Sequence, residues 1–190
     1  GNMRQRCHWQ RLRQAIMKAE KIIAVSHSTE HDLVEFGVDP GKIVVAYPDT
    51  SPVFRTLPSM EEEKSILEKH SLTAGYIYHG GGLEVRKNTE GVLRGYRLLV
   101  DKEERGELSF TLPPLVISGK IFSEDNPLAT PVERLIKELG LTNRVRLLGF
   151  VPEPDLPTLY KNALFFVYHS FYEGFGLPVL EALRMKTPVL

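Results

Sequence analysis

The sequence predicts an α/β protein organised around a doubly wound, Rossmann-like parallel sheet. From about residue 72 onward, short apolar runs alternate with stretches whose apolar residues recur at helical spacing, the order of strand–helix–strand units. The runs "GYIYHG", "PLVISG" and "LFFVYHS" are apolar through most of their length, as strands covered on both faces are. Hydrophobic residues make up 42% of the 190, enough for a real core rather than a disordered chain.

Residues 3–20 read as a helix, with Leu12, Ile16 and Ala19 at helical spacing among basic residues. "KIIAVS" (21–26) is a short buried strand. "STEHDLVEFGV" follows as a helix, with Ser28 as candidate N-cap and Gly37 able to end it. "KIVVAY" (42–47) is a second strand. "PDTSPVFRTLPS" (48–59) holds three prolines and reads as an extended linker. This divides the chain into residues 1–50, the end of one domain, a linker at 51–60, and a second domain at 61–190.

In that second domain "SMEEEKSILEKH" (59–70) is helix-like, with acids in its first turn. A strand at 75–80 and a loop at 81–88 follow. The helix at 89–101 sets Val92, Leu93, Tyr96, Leu99 and Val100 on one side. Then come a strand at 114–119, a helix at 127–141 closed by Gly140, a strand at 144–150 and a short helix at 154–163. A strand at 164–170 and a helix at 176–186 complete the alternation. "TPVL" (187–190) begins a further strand whose covering helix would come next, so the sheet is expected to be truncated there.

Lysine plus arginine equals aspartate plus glutamate at 24 each, which argues against a general nucleic-acid or membrane-surface binder and leaves local basic sites open. The single cysteine, Cys7, cannot form an internal disulfide, so a reducing compartment is the simpler reading. The N-terminal residues lack the apolar centre of a signal peptide, and there is no apolar run of membrane-spanning length. A cytoplasmic location, no membrane span and no nucleic-acid partner are the expectations.

Ligands of open α/β sheets bind beyond the carboxyl ends of the strands, so the strand-to-helix loops carry the candidates. "HGGGLEVRKN" (79–88) has three glycines that let backbone approach a ligand, then Arg86 and Lys87 just before a helix start. Cations at a helix N-terminus suit an anion such as phosphate. The loop lacks the Lys-Ser/Thr ending of a P-loop and the spacing of G-x-G-x-x-G, which weakens a nicotinamide-enzyme reading. A glycine turn with two solvated basic residues is the plain competing reading. "SGKIF" (118–122) offers Ser118 and Lys120 but reads more simply as a surface loop, and Glu153 and Asp155 as helix-start acids. The histidines His27, His31 and His79 are scattered and read as surface or packing residues, so no metal site is expected.

"HSFYEGFGLPVLEAL" carries Glu173 and Glu181 with seven residues between them. Gly174 and Gly176 open a path to the N–H groups of the coming helix, an anion site. Glu181, about a turn into that helix, can accept two hydrogen bonds from a ribose diol. Glu173, in the loop, can bind a sugar hydroxyl or balance a developing positive charge.

"EGFGLPVLEAL" resembles the E-x7-E segment of the retaining nucleotide-sugar glycosyltransferases of the group 1 type, which have the two-domain GT-B fold. "GGLEVRKN" resembles their phosphate loop, "RVRLLGFVPEPDLPTLYKNA" the segment between, and "IIAVSHSTEHDLVEFGVDPGKIVVAYPDTSPVF" the end of their N-terminal domain. The resemblance covers nearly the whole chain and implies a glycosyltransferase fragment carrying mainly the donor-binding domain. It further implies no cofactor beyond a nucleotide-diphosphate sugar as donor, and as partners an acceptor glycan, lipid or small molecule and a missing N-terminal domain. Peripheral contact with the inner membrane through that domain stays open.

The resemblance makes Glu173, Lys87 and Arg86 the catalytic candidates: Lys87 and Arg86 on the diphosphate, Glu173 on the sugar hydroxyls. Gly81 and Gly82 would line the donor. Gly174, Phe175, Gly176 and Leu177 would offer backbone to sugar and phosphate, Val151 backbone to the base, and Glu181 its carboxylate to the ribose. Three positions depart from the family pattern: Gly81 where many relatives have arginine, "YPD" (47–49) where they often read "NG", and His169 where they often have proline. A non-catalytic nucleotide- or partner-binding module of the same fold is the alternative.

Overall fold

The computed structural model describes residues 3–122 and 126–190, with side chains from Arg6 onward. Gly1 and Asn2, at the head of the segment read for a leader, lie outside the described residues. Contacts divide the chain into two compact units. The first joins Gly1–Asp49 with Glu173–Gly176, and the second joins Thr50–Tyr172 with Leu177–Leu190.

The first unit runs α1 (Met3–Lys18), β1 (Ile22–Ala24), α2 (His27–Glu35) and β2 (Ile43–Val45). β1 and β2 pair in parallel, Ile22 opposite Ile43 and Ala24 opposite Val45. Ala24, Val38 and Ile43 form its small core, with Ile16 and Leu33 packed against them. Ser26 caps α2, not Ser28: its backbone is still extended on leaving β1, and its Oγ accepts from the Thr29 N–H at 3.0 Å.

The second unit contains α3 (Met60–Lys69), β3 (Tyr76–His79), α4 (Thr89–Glu104), β4 (Leu115–Ser118), α5 (Val132–Glu138), β5 (Val145–Gly149), α6 (Leu156–Lys161), β6 (Ala163–Phe166) and α7 (Leu177–Arg184). Its strands form one parallel sheet in the order β5-β4-β3-β6. Residues 188–190 extend it beyond β6: the Phe166 N–H donates to Pro188 O at 2.8 Å and the Leu190 N–H to Phe166 O at 2.9 Å. The doubly wound α/β architecture is therefore as expected.

Side chains alternate across the central strands, as a period of two requires. On one face Ile77, Leu115 and Ile117 meet Leu93, Tyr96 and Val100 of α4 and Leu135 and Ile136 of α5. On the other, Tyr76, Tyr78, Val116 and Phe166 meet Leu159 and Tyr160 of α6 and Ala182 and Met185 of the α7 segment. Leu99, expected on the buried side of α4, sits at the edge of that stripe and is exposed.

Three other segments differ from the sequence expectation. The proline-rich stretch is not an extended tether throughout: Pro52–Phe54 makes a 3-10 turn, and Phe54 is buried with its ring 5.9 Å from that of Tyr160. α5 starts at Val132, not residue 127, because Pro131 before it holds a non-helical ψ of 70°. Asp155 is no simple helix-start acid. It is buried and accepts from Lys69 Nζ at 2.6 Å and His70 Nε2 at 2.8 Å, tying α3 to the turn that opens α6.

Burial pushes the Asp155 carboxyl up, but the hydrogen bonds and charges of Lys69 and His70 outweigh it, so its pKa lies below the ordinary value. Stability from this clamp is present above the unfolded carboxyl value of about 4 and is lost as pH falls through the lower folded value. Asp155→Asn is expected to reduce stability at pH 7 by roughly 1–3 kcal/mol. It should also flatten stability against pH below about 4. Urea unfolding of both proteins between pH 3 and 7 checks both.

Candidate functional site

β3 and β6 are neighbours in the sheet, yet the chain leaves them for opposite faces, from β3 to α4 and from β6 to α7. A crevice at such a switch point, beyond the carboxyl ends of the strands, is where doubly wound sheets take ligands. The segments that meet at this point are the loop after His79, Val167 and Tyr168 after β6, and α7.

The glycines let backbone into a narrow place. A Cβ on Gly80 would lie 2.8 Å from the Tyr78 hydroxyl and 2.9 Å from Ser118 Oγ, two groups that hydrogen-bond each other at 2.7 Å. Ser118 is thus spent inside the core rather than offered to a ligand. Gly81 has a φ of +94°, and a Cβ there would stand 3.1 Å from Pro178 in α7. Beyond Gly82 the loop is anchored by a short antiparallel contact: the Val85 N–H donates to Leu128 O at 2.9 Å and the Thr130 N–H to Leu83 O at 2.8 Å.

Next comes a 3-10 turn, Val85–Lys87, and then Asn88 in the left-handed region at φ 54°. Asparagine tolerates this backbone, and its Oδ1 accepts from the Gly91 N–H at 3.2 Å to cap α4. The turn sends the two basic residues opposite ways. Arg86 is exposed, and its carbonyl accepts from the Phe171 N–H at 2.8 Å. Lys87 is only 4% exposed, with Nζ 5.4 Å from the centre of the Tyr168 ring.

His79 pins this turn to β6. Its Nδ1 lies 3.0 Å from Val167 O and its Nε2 3.0 Å from Thr89 Oγ1. A carbonyl only accepts, so Nδ1 carries the proton and Nε2 accepts from the threonine hydroxyl. Burial lowers the pKa, the bond to Val167 opposes that, and the Lys87 charge lowers it further. His79 is a neutral packing histidine.

Glu181 sits in α7, and its Oε2 accepts from the Tyr160 hydroxyl at 2.9 Å. Burial raises its pKa, while the Tyr160 bond and the Lys87 charge pull it back and Glu153 pushes it up. The charge of Lys87, on the turn after β3, thus acts on Glu181 in α7.

The remaining candidates fall as follows. Leu177 opens α7, and Val151 lies after β5 with its side chain buried in the core. Gly81, Gly82, Arg86, Lys87, Val151, Leu177 and Glu181 belong to the second unit, and Glu173, Gly174, Phe175 and Gly176 to the first. There Gly174 O accepts from Ser26 Oγ at 2.5 Å and Thr29 Oγ1 at 3.3 Å, and the Phe175 ring lies 5.8 Å from that of Tyr47. His31, Asp32 and Glu35 place ligand atoms within 4.8 Å of one another on α2, an exposed or half-exposed group of a kind common without an ion. No helix among the described residues is long and apolar enough to cross a membrane.

The model of the family described as glycosyl transferases group 1 matches residues 61–190. The chain belongs to the group 1 glycosyl transferases. Among curated relatives of this group 1 chain, the O-antigen chain mannosyltransferase B of Escherichia coli is 37% identical over 182 residues, 94% of this chain and 45% of that protein. A serotype-specific mannosyltransferase, WbdA, of Escherichia coli is 29% identical over 176 residues, 91% of this chain and 20% of that protein. The chain thus spans less than half the length of these relatives. Among solved structures, Anabaena Alr3699/HepE in complex with UDP and glucose superposes with a TM-score of 0.71 at 20% identity, over 90% of this chain and 44% of that one. The fold is that of part of a GT-B glycosyltransferase.

Sequence reasoning passed over two residues that shape this site, Asn88 as a left-handed cap and Tyr160 as the partner of Glu181, while His79, read as a surface or packing histidine, is a packing one. Asn88 had a signal, an Asn-Thr-Glu run before a helical stretch. Tyr160 had none, because only the packing of α6 on α7 brings it to Glu181. Gly81→Ala would strain the backbone and press on Pro178, and is expected to lower stability by roughly 1–3 kcal/mol in urea unfolding.

Proposed function

We propose that this chain supplies the donor site of a glycosyltransferase that moves a sugar from a nucleoside diphosphate to an acceptor with retention of anomeric configuration. The observation that carries the reading is the buried Lys87 at the switch-point crevice, with its charge acting on Glu181 of α7.

The hard step is breaking the bond between the anomeric carbon and the β-phosphate oxygen. Both bonding electrons go to that oxygen, and the diphosphate gains negative charge as the sugar gains positive charge. Cations held in place before the reaction stabilise that charge more in the transition state than in the bound donor. Lys87 and Arg86 take this role on the diphosphate, and Glu181 accepts from the ribose hydroxyls. Glu173 binds the sugar hydroxyls, the backbone at Phe175, Gly176 and Leu177 serves sugar and phosphate, and the backbone at Val151 meets the base. The acceptor oxygen forms its bond on the face the phosphate leaves, and its proton passes to the leaving phosphate.

Relatives named mannosyltransferases make mannose the first sugar to test. The acceptor, in this reading, is met by parts of a longer polypeptide, since the chain spans 45% of its mannosyltransferase B relative.

Calorimetric titration with UDP, GDP and ADP tests the site. One of them should bind, with Lys87→Ala and Glu181→Ala each weakening it tenfold or more, about 1.4 kcal/mol. Binding of none of the three would overturn the reading. Sugar transfer by the 190 residues alone should stay far below that of a two-domain enzyme, and a comparable rate would overturn the assignment of the acceptor site.

A further inference from the structure

Resting on that reading of Glu181 as the ribose ligand, we propose that Tyr160 is a positioning residue for donor binding: its hydroxyl fixes the carboxylate of Glu181 through Oε2 and leaves Oε1 to receive the ribose diol.

Tyr160 is built to hold still. It is 2% exposed, and its ring meets those of Tyr78, Phe166 and Phe54 edge-on at 5.1, 5.0 and 5.9 Å. Its carbonyl accepts from Thr187 Oγ1 at 2.7 Å, just past α7. The preceding carbonyl, Leu159 O, accepts from the Tyr76 hydroxyl at 2.8 Å. The ends of α6 are clamped to α3 and its flanks, by Asp155 to Lys69 and His70 and by Lys161 Nζ to Glu63 at 2.5 Å. A tyrosine so confined offers its hydroxyl in one direction, and that direction carries the 2.9 Å bond to Glu181. A half-buried glutamate side chain has several rotamers, and a fixed donor on one oxygen selects among them before any ligand arrives.

The same bond bears on the protonation of Glu181, whose pKa burial holds above the ordinary carboxylate value. Among the described residues, the titratable groups that act on Glu181 are Tyr160 from α6, Glu153 from the turn before it, Lys87 from the turn after β3 and Tyr78 from β3. Burial and Glu153 favour the neutral acid, whereas Tyr160 and Lys87 favour the carboxylate. A diol donates well only to the carboxylate. Removing the tyrosine hydroxyl raises the pKa of Glu181, so affinity for a ribose-bearing ligand starts to fall at a higher pH as the solution is acidified.

The test is the affinity of the full chain for UDP and GDP, for their 2′,3′-dideoxy analogues, and for inorganic pyrophosphate, between pH 5 and 8. It compares the wild type with Tyr160→Phe, Glu181→Gln and the double variant. Tyr160→Phe keeps the ring that packs the core. It is expected to weaken the ribose-bearing nucleotide about fivefold at pH 7, with a loss that grows towards pH 5. The dideoxy form and pyrophosphate should be unchanged, and the double variant no worse than Glu181→Gln. If Glu181→Gln weakens the nucleotide and Tyr160→Phe does not, the role of Tyr160 is overturned and the donor site stands. Equal loss by Tyr160→Phe for dideoxy and ribose forms, a general structural effect, also overturns it. A wild type that binds neither nucleotide, or does not distinguish ribose from dideoxyribose, overturns the reading of Glu181 and this inference with it.

Discussion

β3 pairs in parallel with β4 on one side and β6 on the other, and every residue from Tyr76 to His79 is buried. That double pairing is the constraint on which the candidate site depends. It forces odd and even residues of one short strand into two different cores, Ile77 into one and Tyr76 and Tyr78 into the other. It also ends the strand where its two neighbours lead to opposite faces, so the backbone beyond His79 passes through the switch point, where Gly81 comes up against Pro178 of α7. Gly80 follows because the Tyr78–Ser118 hydrogen bond already fills the space a side chain would need.

Burying Lys87 and half-burying Glu181 runs against the desolvation of charge, which is why such groups sit inside proteins only with partners. Here the fold supplies them by connecting elements far apart in sequence. Lys87 lies over the Tyr168 ring, Glu181 takes the Tyr160 hydroxyl, and the Lys87 charge acts on Glu181. Lys87 points inward from the 3-10 turn Val85–Lys87, the left-handed Asn88 then starts α4, and His79 and the Phe171 N–H tether this region to the segment after β6. The site is therefore fixed by backbone geometry and hydrogen bonds rather than by the long, flexible side chains alone.

The two glutamates at the end of the chain have different supports. Glu181 rides on α7, whose Ala182 enters the core against Tyr160 and Phe166. Glu173 belongs to a four-residue segment that groups with the first unit, through Gly174 O on Ser26 and Thr29 and the Phe175 ring beside Tyr47. Tyr47, in the "YPD" run, thus brings an aromatic ring to the Glu173–Gly176 segment. A motif continuous in sequence is shared between two packing units.

The sequence by itself determined the strand and helix order, the parallel sheet and the basic glycine loop, because each is written in local terms: apolar periodicity, glycine and proline positions, charge next to a helix start. The family likeness rested on the same local runs, and the family match supports it. Only the tertiary structure decided that Lys87 turns inward while Arg86 stays exposed, since both lie in the 3-10 turn Val85–Lys87, where successive side chains point about 120° apart. It alone made Asp155 a buried clamp, Phe54 a core residue within a proline-rich stretch, and Tyr160 the partner of Glu181. These contacts join residues 21 to 106 positions apart, and no local pattern encodes which distant side chain will arrive.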